Sequence, residues 1–228
     1  MLILGIDTSG HTASAAICSE ERVLAQASVA TKQTHSQIIL PMCREIMTRA
    51  NVTFDDIDGI AAAKGPGSYT GLRIGIAAAK GICFAKGCKA AGISTLEALA
   101  YNFKGLRENA VICAVMHARQ ELVYNANFMI ENGSVIRECG DRIIPAKQAA
   151  EEISGLGERV YVTGDYSGEL LKLLSGDEKN VFAAPPLLGI PLASSLCYAA
   201  MDKGFSSPEE LNADYLQITK AEKDLEGK

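Results

Sequence analysis

Two stretches of this 228-residue chain carry residue types suited to phosphate or acyl chemistry. Near the start, Asp7-Thr8-Ser9-Gly10 places an acid, two hydroxyls and a glycine in succession. Further on, Lys64-Gly65-Pro66-Gly67-Ser68-Tyr69-Thr70-Gly71 lies between apolar runs, the composition of a loop whose backbone N–H groups hold an anion at a helix start. Counting excludes the two common cradles. Gly65 and Gly71 are separated by five residues and Gly67 and Gly71 by three, and Leu72 stands where a P-loop has lysine. Thr70 takes the third glycine position of a dinucleotide fingerprint. The three histidines, His11, His35 and His117, form no metal-binding pair at helical spacing. Ser9 and His11 do not make a nucleophile–base dyad by spacing alone. Seven cysteines without a C-x-x-C pair signal neither a disulfide framework nor a zinc knuckle, and buried free thiols in a reducing cytoplasm are the expectation.

The elements that must position these groups follow from patterning. With 48% hydrophobic and 21% charged residues, the chain has a soluble, globular composition. Its net charge of −5 does not suit a free-standing nucleic-acid binder. The start, MLILGIDTS, lacks a basic region and is interrupted by Asp7, so a signal peptide is not expected, and no apolar run is long enough to span a membrane. Residues 2–8, 13–19 and 22–30 read as three strands. A helix follows over 36–50, with Ser36 as N-cap and Pro41 awkward inside it. Then come strand 59–63, helix 68–86, strand 89–93 and helix 95–103. The order repeats: strands at 110–116, 121–130 and 134–143, helix 145–153, strand 159–163, helix 167–174, strand 180–183 and helix 191–203. The terminal KAEKDLEGK reads as disordered.

A twice-used order of three strands, helix, strand, helix, strand, helix predicts an α/β chain of two lobes, 1–103 and 104–228, each a five-stranded mixed sheet flanked by helices. The last helix is expected to pack back on the first lobe. The duplicated order resembles the actin-like (ribonuclease H-like) ATPase superfamily, whose lobes clasp a nucleotide. Against that family's pattern the phosphate and metal groups are depleted. Asp7 survives, but its glycine is displaced to Gly10. The second lobe has Met116-His117-Ala118-Arg119-Gln120 where an acid and a glycine belong. The adenosine turn, Val162-Thr163-Gly164-Asp165-Tyr166, keeps one glycine. Asp7 is thus either the remnant of a weak nucleotide cleft or a polar residue capping a hairpin. His117 is expected to satisfy a local hydrogen bond or sit in the cleft.

GIDTS at 5–9, HSQIILP at 35–41, KGPGSYTGLRIGIAAAKG at 64–81 and GISTLEALA at 92–100 together resemble the TsaB (YeaZ) family. These glycoprotease-like proteins are partners in bacterial tRNA N6-threonylcarbamoyladenosine synthesis. The likeness covers the first lobe almost throughout and the second more loosely, with His117 at the family's usual Asp. It implies kinship to the transferase TsaD, whose paired metal-ligating histidines would fall on Thr95 and Leu99. Leucine ligates no metal. The resemblance therefore implies a non-catalytic scaffold that docks on a TsaD-like transferase, recruits a TsaE-like ATPase, forms a homodimer in isolation and meets tRNA only through the complex. No cofactor is required by the chain alone, with weak ATP or ADP at a shared interface as the exception. The alternatives are an actin-like ATPase or kinase using Asp7, or a glycoprotease-like hydrolase.

Gly71, Gly75 and Ala79 recur every four residues and form a smooth helix face, against either a partner helix or the chain's own sheet. The resemblance carries a first-lobe helix-pair interface onto Leu40, Arg44, Met47, Arg73, Ile76 and Lys80. Arg73, Lys80, Lys86 and Lys89, with Lys64 before the loop, are alternatively a local RNA contact, but no aromatic residues interleave them for base stacking.

Overall fold

The computed structural model describes residues 1–31, 33–174, 176 and 178–217. The segment 220–228, expected to be disordered, lies outside the described residues.

The first half begins with β1 (Leu2–Asp7), β2 (Thr12–Ser19) and β3 (Val23–Ala30), paired antiparallel in sequence. Helix α1 (His35–Ala50) crosses to β4 (Gly59–Gly65), and α2 (Tyr69–Lys86) to β5 (Lys89–Ser94). Both crossovers return parallel strands, giving the order β3-β2-β1-β4-β5. Successive β1 side chains serve opposite faces, as the pleat requires. Leu4 and Ile6 join α1 and α2 in one core, and Ile3 joins the other.

Helix α3 (Thr95–Tyr101) leads to the second half. There β6 (Ala110–Arg119) and β7 (Leu122–Glu131) pair antiparallel, and β10 (Val160–Thr163) and β11 (Val181–Ala183) extend the sheet in parallel from β6. The expected third strand, 134–143, is broken into β8 (Ser134–Arg137) and β9 (Arg142–Pro145), which pair with opposite ends of β7. The break has a local cause. Asn127 N–H is taken by the Cys139 thiol at 3.2 Å, and the Arg137 guanidinium turns back to Asp141 at 2.6 Å, so the ladder skips a step. Five sheet positions remain, the edge position beside β7 shared by β8 and β9. Helices α4 (Ala146–Ile153) and α5 (Ser167–Leu171) cover one face.

The remaining helices cross over between halves. Leu96, Leu99 and Ala100 of α3 pack on Ile112, Ala114 and Phe128 of the second sheet. Leu196, Cys197 and Ala200 of α6 (Ala193–Lys203) pack on Ile3, Ala16 and Ala61 of the first sheet. The chain then runs back along the first lobe: Ser206 bridges Ala90, and Leu211 is buried with the α1–α2 core. Four cores thus alternate with two sheets, and α3 and α6 touch at the centre.

Several boundaries differ from expectation by a few residues, with α5 ending at Leu171 and α6 opening at Ala193, and two of the differences concern the residue at a helix N-cap. α1 opens at His35 with Thr34 as N-cap, because the Thr34 carbonyl already receives Gln37 N–H; Ser36 lies inside the first turn. Pro145 precedes α4 as its N-cap rather than opening it.

Candidate functional site

The glycine-rich loop is occupied by the chain itself. Ser68 N–H donates to the Ser9 carbonyl at 2.7 Å, and the Ser68 hydroxyl accepts from Gly71 N–H at 3.2 Å as the N-cap of α2. The N–H groups a phosphate would use are therefore partly claimed. The small-residue stripe seats α2 on β1. A Cβ at Gly71 would lie 2.1 Å from the Thr8 carbonyl oxygen, and one at Gly75 2.5 Å from the Thr8 hydroxyl. Thr8 Oγ1 donates to the Gly71 carbonyl at 2.7 Å, and Ala79 is fully buried. Of the two readings open for this face, close packing on the chain's own sheet holds.

Asp7 ends β1 beneath the same turn and is 1% exposed. Its Oδ1 accepts from both Ser9 N–H and Ser9 Oγ at 2.9 Å. Its Oδ2 is buried without a hydrogen-bond partner among the described residues. Burial pushes the carboxyl up to about 6, against the lowering effect of the Ser9 hydrogen bonds and of His35. His35 Nδ1 lies 3.2 Å from the Thr8 carbonyl. Asp7 is thus built into the β1–β2 turn through Oδ1, which leaves Oδ2 as its oxygen without a partner among the described residues.

In the second half, His117 is exposed, stacks on Tyr166 with centroids 5.8 Å apart, and donates its backbone N–H to Asp165 at 2.7 Å. Sequence reading missed Asp165. It stands at 165, just after β10, yet the fold brings it to the β6–β7 hairpin, where it accepts the His117 backbone N–H. Among the described residues, no group of three His, Cys, Asp or Glu side chains converges to hold a metal ion. Thr95 and Leu99 are fully buried in α3.

Four of the five basic residues weighed for an RNA contact, Lys64, Arg73, Lys80 and Lys86, are engaged internally. Lys64 pairs with Asp214 at 3.5 Å, and Lys86 donates to the Asp55 carbonyl. Lys80 reaches the Glu209 carbonyl and Asn212 Oδ1, both at 3.3 Å. Arg73 lies over the Tyr69 ring at 4.1 Å and donates to Tyr215 Oη at 2.9 Å, while the two tyrosines stack at 4.8 Å. The C-terminal segment therefore straps one side of α2.

The strap and the first core together correct the expected interface. Met47 and Ile76 are only 4% and 8% exposed and belong to the first core. Met47 is covered because Val52 and Ile57 return over the C-terminal end of α1; Val52 N–H donates to the Met47 carbonyl. Arg73 and Lys80 face the strap. Leu40 (49% exposed) and Arg44 stand on the surface, as expected. The open side of α2 lies elsewhere, along Ala77, Ala78, Gly81, Ile82 and Ala85, which with Leu40 and Phe54 line a groove of about 370 Å³ between α1 and α2. A second concavity of about 960 Å³ continues along α1 past Leu40, Arg44 and Thr48. Phe84, on α2, is 57% exposed. Contiguous exposed apolar side chains on two paired helices are the surface character of a docking face.

The family model for TsaD, tRNA N6-adenosine threonylcarbamoyltransferase, matches residues 22–223. The tRNA threonylcarbamoyladenosine biosynthesis protein TsaB of Escherichia coli is 34% identical over 71% of this chain and 71% of its own length. The chain belongs to the TsaB family. The Bacillus subtilis TsaB, 29% identical, aligns over 97% of this chain and 96% of its own, so the likeness extends through the second lobe. YeaZ from Pseudomonas aeruginosa shares the fold with a TM-score of 0.80 at 24% identity, over 94% of this chain and 99% of that one. An Arthrobacter polyphosphate/ATP-glucomannokinase shares the actin-like fold more distantly, with a TM-score of 0.52 at 12% identity, over 88% of this chain and 99% of that one. The TsaB-family chain has no described helix long and apolar enough to cross a membrane.

Proposed function

We propose that this TsaB-family chain acts in tRNA N6-threonylcarbamoyladenosine synthesis as a non-catalytic partner, docking a TsaD-like transferase through the α1–α2 groove and holding it in a competent state. One observation carries the reading: the groove offers Leu40, Phe54, Ile82 and neighbouring small residues to solvent on the helix pair nearest the glycine-rich turn. Small residues at Ala77, Ala78 and Gly81 admit a partner backbone closely, and a specific contact would bury roughly 1,200–2,000 Å² in total. The same face would join two copies when no transferase is present. A TsaE-like ATPase would join the assembled pair, tRNA would be met only through the complex, and ATP or ADP would bind weakly at the shared interface. The internal engagement of Lys64, Lys80 and Lys86 supports indirect rather than direct tRNA contact.

The test is mass and size measurement of the chain alone and with a TsaD-like transferase, paired with reconstituted tRNA modification. A homodimer that converts to a heterodimer, and modification that needs this chain, support the reading. Unchanged modification in its absence overturns it. The unpartnered Asp7 Oδ2 favours one second reading, a nucleotide-hydrolysing site. Mg-ATP turnover by the isolated chain, abolished in Asp7→Ala, would establish that reading instead.

A further inference from the structure

Five of the seven cysteines, Cys18, Cys43, Cys83, Cys113 and Cys197, are buried. Cys139 is partly exposed but accepts Asn127 N–H. Cys83 and Cys88 set a buried thiol against a partly exposed one. The chain leaves α2 through Gly87 in the left-handed region (φ 76°), and both Gly87 N–H and Cys88 N–H donate to the Cys83 carbonyl. This turn folds the Cys88 side chain back on the helix end and brings the two sulfur atoms to 3.6 Å. Cys88 is partly exposed while Cys83 is buried in the first core. One thiol can therefore meet a small solute, and the other waits within contact behind it.

We propose that Cys83 and Cys88 are an oxidative modification site, an attacking and resolving thiol pair that closes to an intramolecular disulfide under a hydroperoxide oxidant. Cys88, as thiolate, attacks the peroxide oxygen. The O–O bond breaks, hydroxide (or the alkoxide of an organic hydroperoxide) leaves and takes the proton that Cys88 gave up, and Cys88 becomes a sulfenic acid. Cys83 then attacks that sulfur, the S–O bond breaks, and the departing hydroxide takes the Cys83 proton. Two thiols and one hydroperoxide give one disulfide, one water and the reduced alcohol or second water; the two electrons go to the peroxide. The order of attack follows from access. Burial pushes the Cys83 thiol up to about 12, so it is a poor first nucleophile, whereas sulfenic acid at 3.6 Å presents a reactive sulfur directly to it. The product would fasten the last turn of α2 to the start of β5, at the end of the helix that borders the groove through Ala85 and Lys86.

The experiment treats the folded full chain with hydrogen peroxide, blocks remaining thiols with an alkylating reagent, digests it without reductant and maps the peptides by mass. A Cys83–Cys88 link that a dithiol reverses, with two thiols lost from the count of free cysteines, is the expected result. Cys83→Ser should instead leave a Cys88 sulfenic acid that a carbon nucleophile traps, and Cys88→Ser should leave Cys83 unmodified at the same dose. Cys88 driven to sulfinic acid while Cys83 stays reduced would overturn the pairing, as would a link confined to Cys18 and Cys197. The wild-type map needs no variant to fold, and it is independent of whether the groove docks a transferase.

Discussion

Replacing Gly71 and Gly81 by alanine, one at a time, should move stability in opposite directions although both lie in α2. At Gly81 no atom stands within 4 Å of an added Cβ, so Gly81→Ala changes backbone freedom alone and should stabilise the chain by about 0.5–1 kcal/mol. At Gly71 the same gain meets a backbone oxygen, Thr8 O, 2.1 Å from the new carbon. Relief requires α2 to lift from β1 by about an ångström, an overpacking cost of typically ~1–3 kcal/mol. The lift also stretches the buried Thr8 Oγ1–Gly71 bond, whose loss leaves both partners unsatisfied at a further ~1–2 kcal/mol. Subtracting the helix gain leaves a net loss of about 1–4 kcal/mol. For a chain of this size that is roughly 5–10 °C in Tm at mid-range, against a rise of about 2–3 °C for Gly81→Ala. Differential scanning fluorimetry and urea unfolding of the isolated variants read both. A neutral or stabilising Gly71→Ala would show that the stripe does not seat the helix on its own sheet.

Asp7 should make stability pH-dependent in one window. Its carboxyl is raised from 3.8 to about 6, so its contribution is fully present below about 3.8 and lost as pH rises through about 6; urea titrations should show wild type falling relative to Asp7→Asn between those values and no further above them. Leu40→Asp and Ile82→Asp should each weaken docking of a TsaD-like transferase at least about tenfold by titration calorimetry, while Leu40→Asp leaves Tm within about 2 °C, since an exposed residue contributes little to folding. Tyr215→Ala removes the stack on Tyr69 and the hydrogen bond from Arg73, and should cost about 1 kcal/mol and speed amide exchange over 212–217; unchanged exchange would mean the strap is held elsewhere.

Much of the architecture was legible because it rests on local periodicity. Apolar runs bounded by turn residues locate β1, β4 and β5, and the repeated element order anticipates two sheets with the same strand plan. The four-residue recurrence of Gly71, Gly75 and Ala79 was visible too, but the surface they press against was not, since a stripe fits a sheet or a helix equally well. Met47 shows the limit most directly. It lies seven residues from Leu40, nearly the same angle around α1, yet Leu40 is on the surface and Met47 is buried by chain that returns over the helix end. Arg73 and Lys80 are engaged by a segment some 130–140 residues further along, and Ile76 is buried in the first core. Asp165 could be named from the sequence but not placed, because its partner, the His117 backbone, is 48 residues away.

By itself, the sequence determined the kinds of group at hand: one acid in the first turn, no paired metal ligands, a glycine-rich helix start, and the family to which these belong. Tertiary structure decided their surroundings. It filled the glycine loop with Ser9, buried Asp7 beneath that turn, strapped one side of α2 and left the α1–α2 groove open. The physical reason is that helix and strand patterns are set by neighbours a few residues away, whereas exposure, hydrogen-bond occupancy and contact between distant side chains depend on which segments the fold returns to the same place.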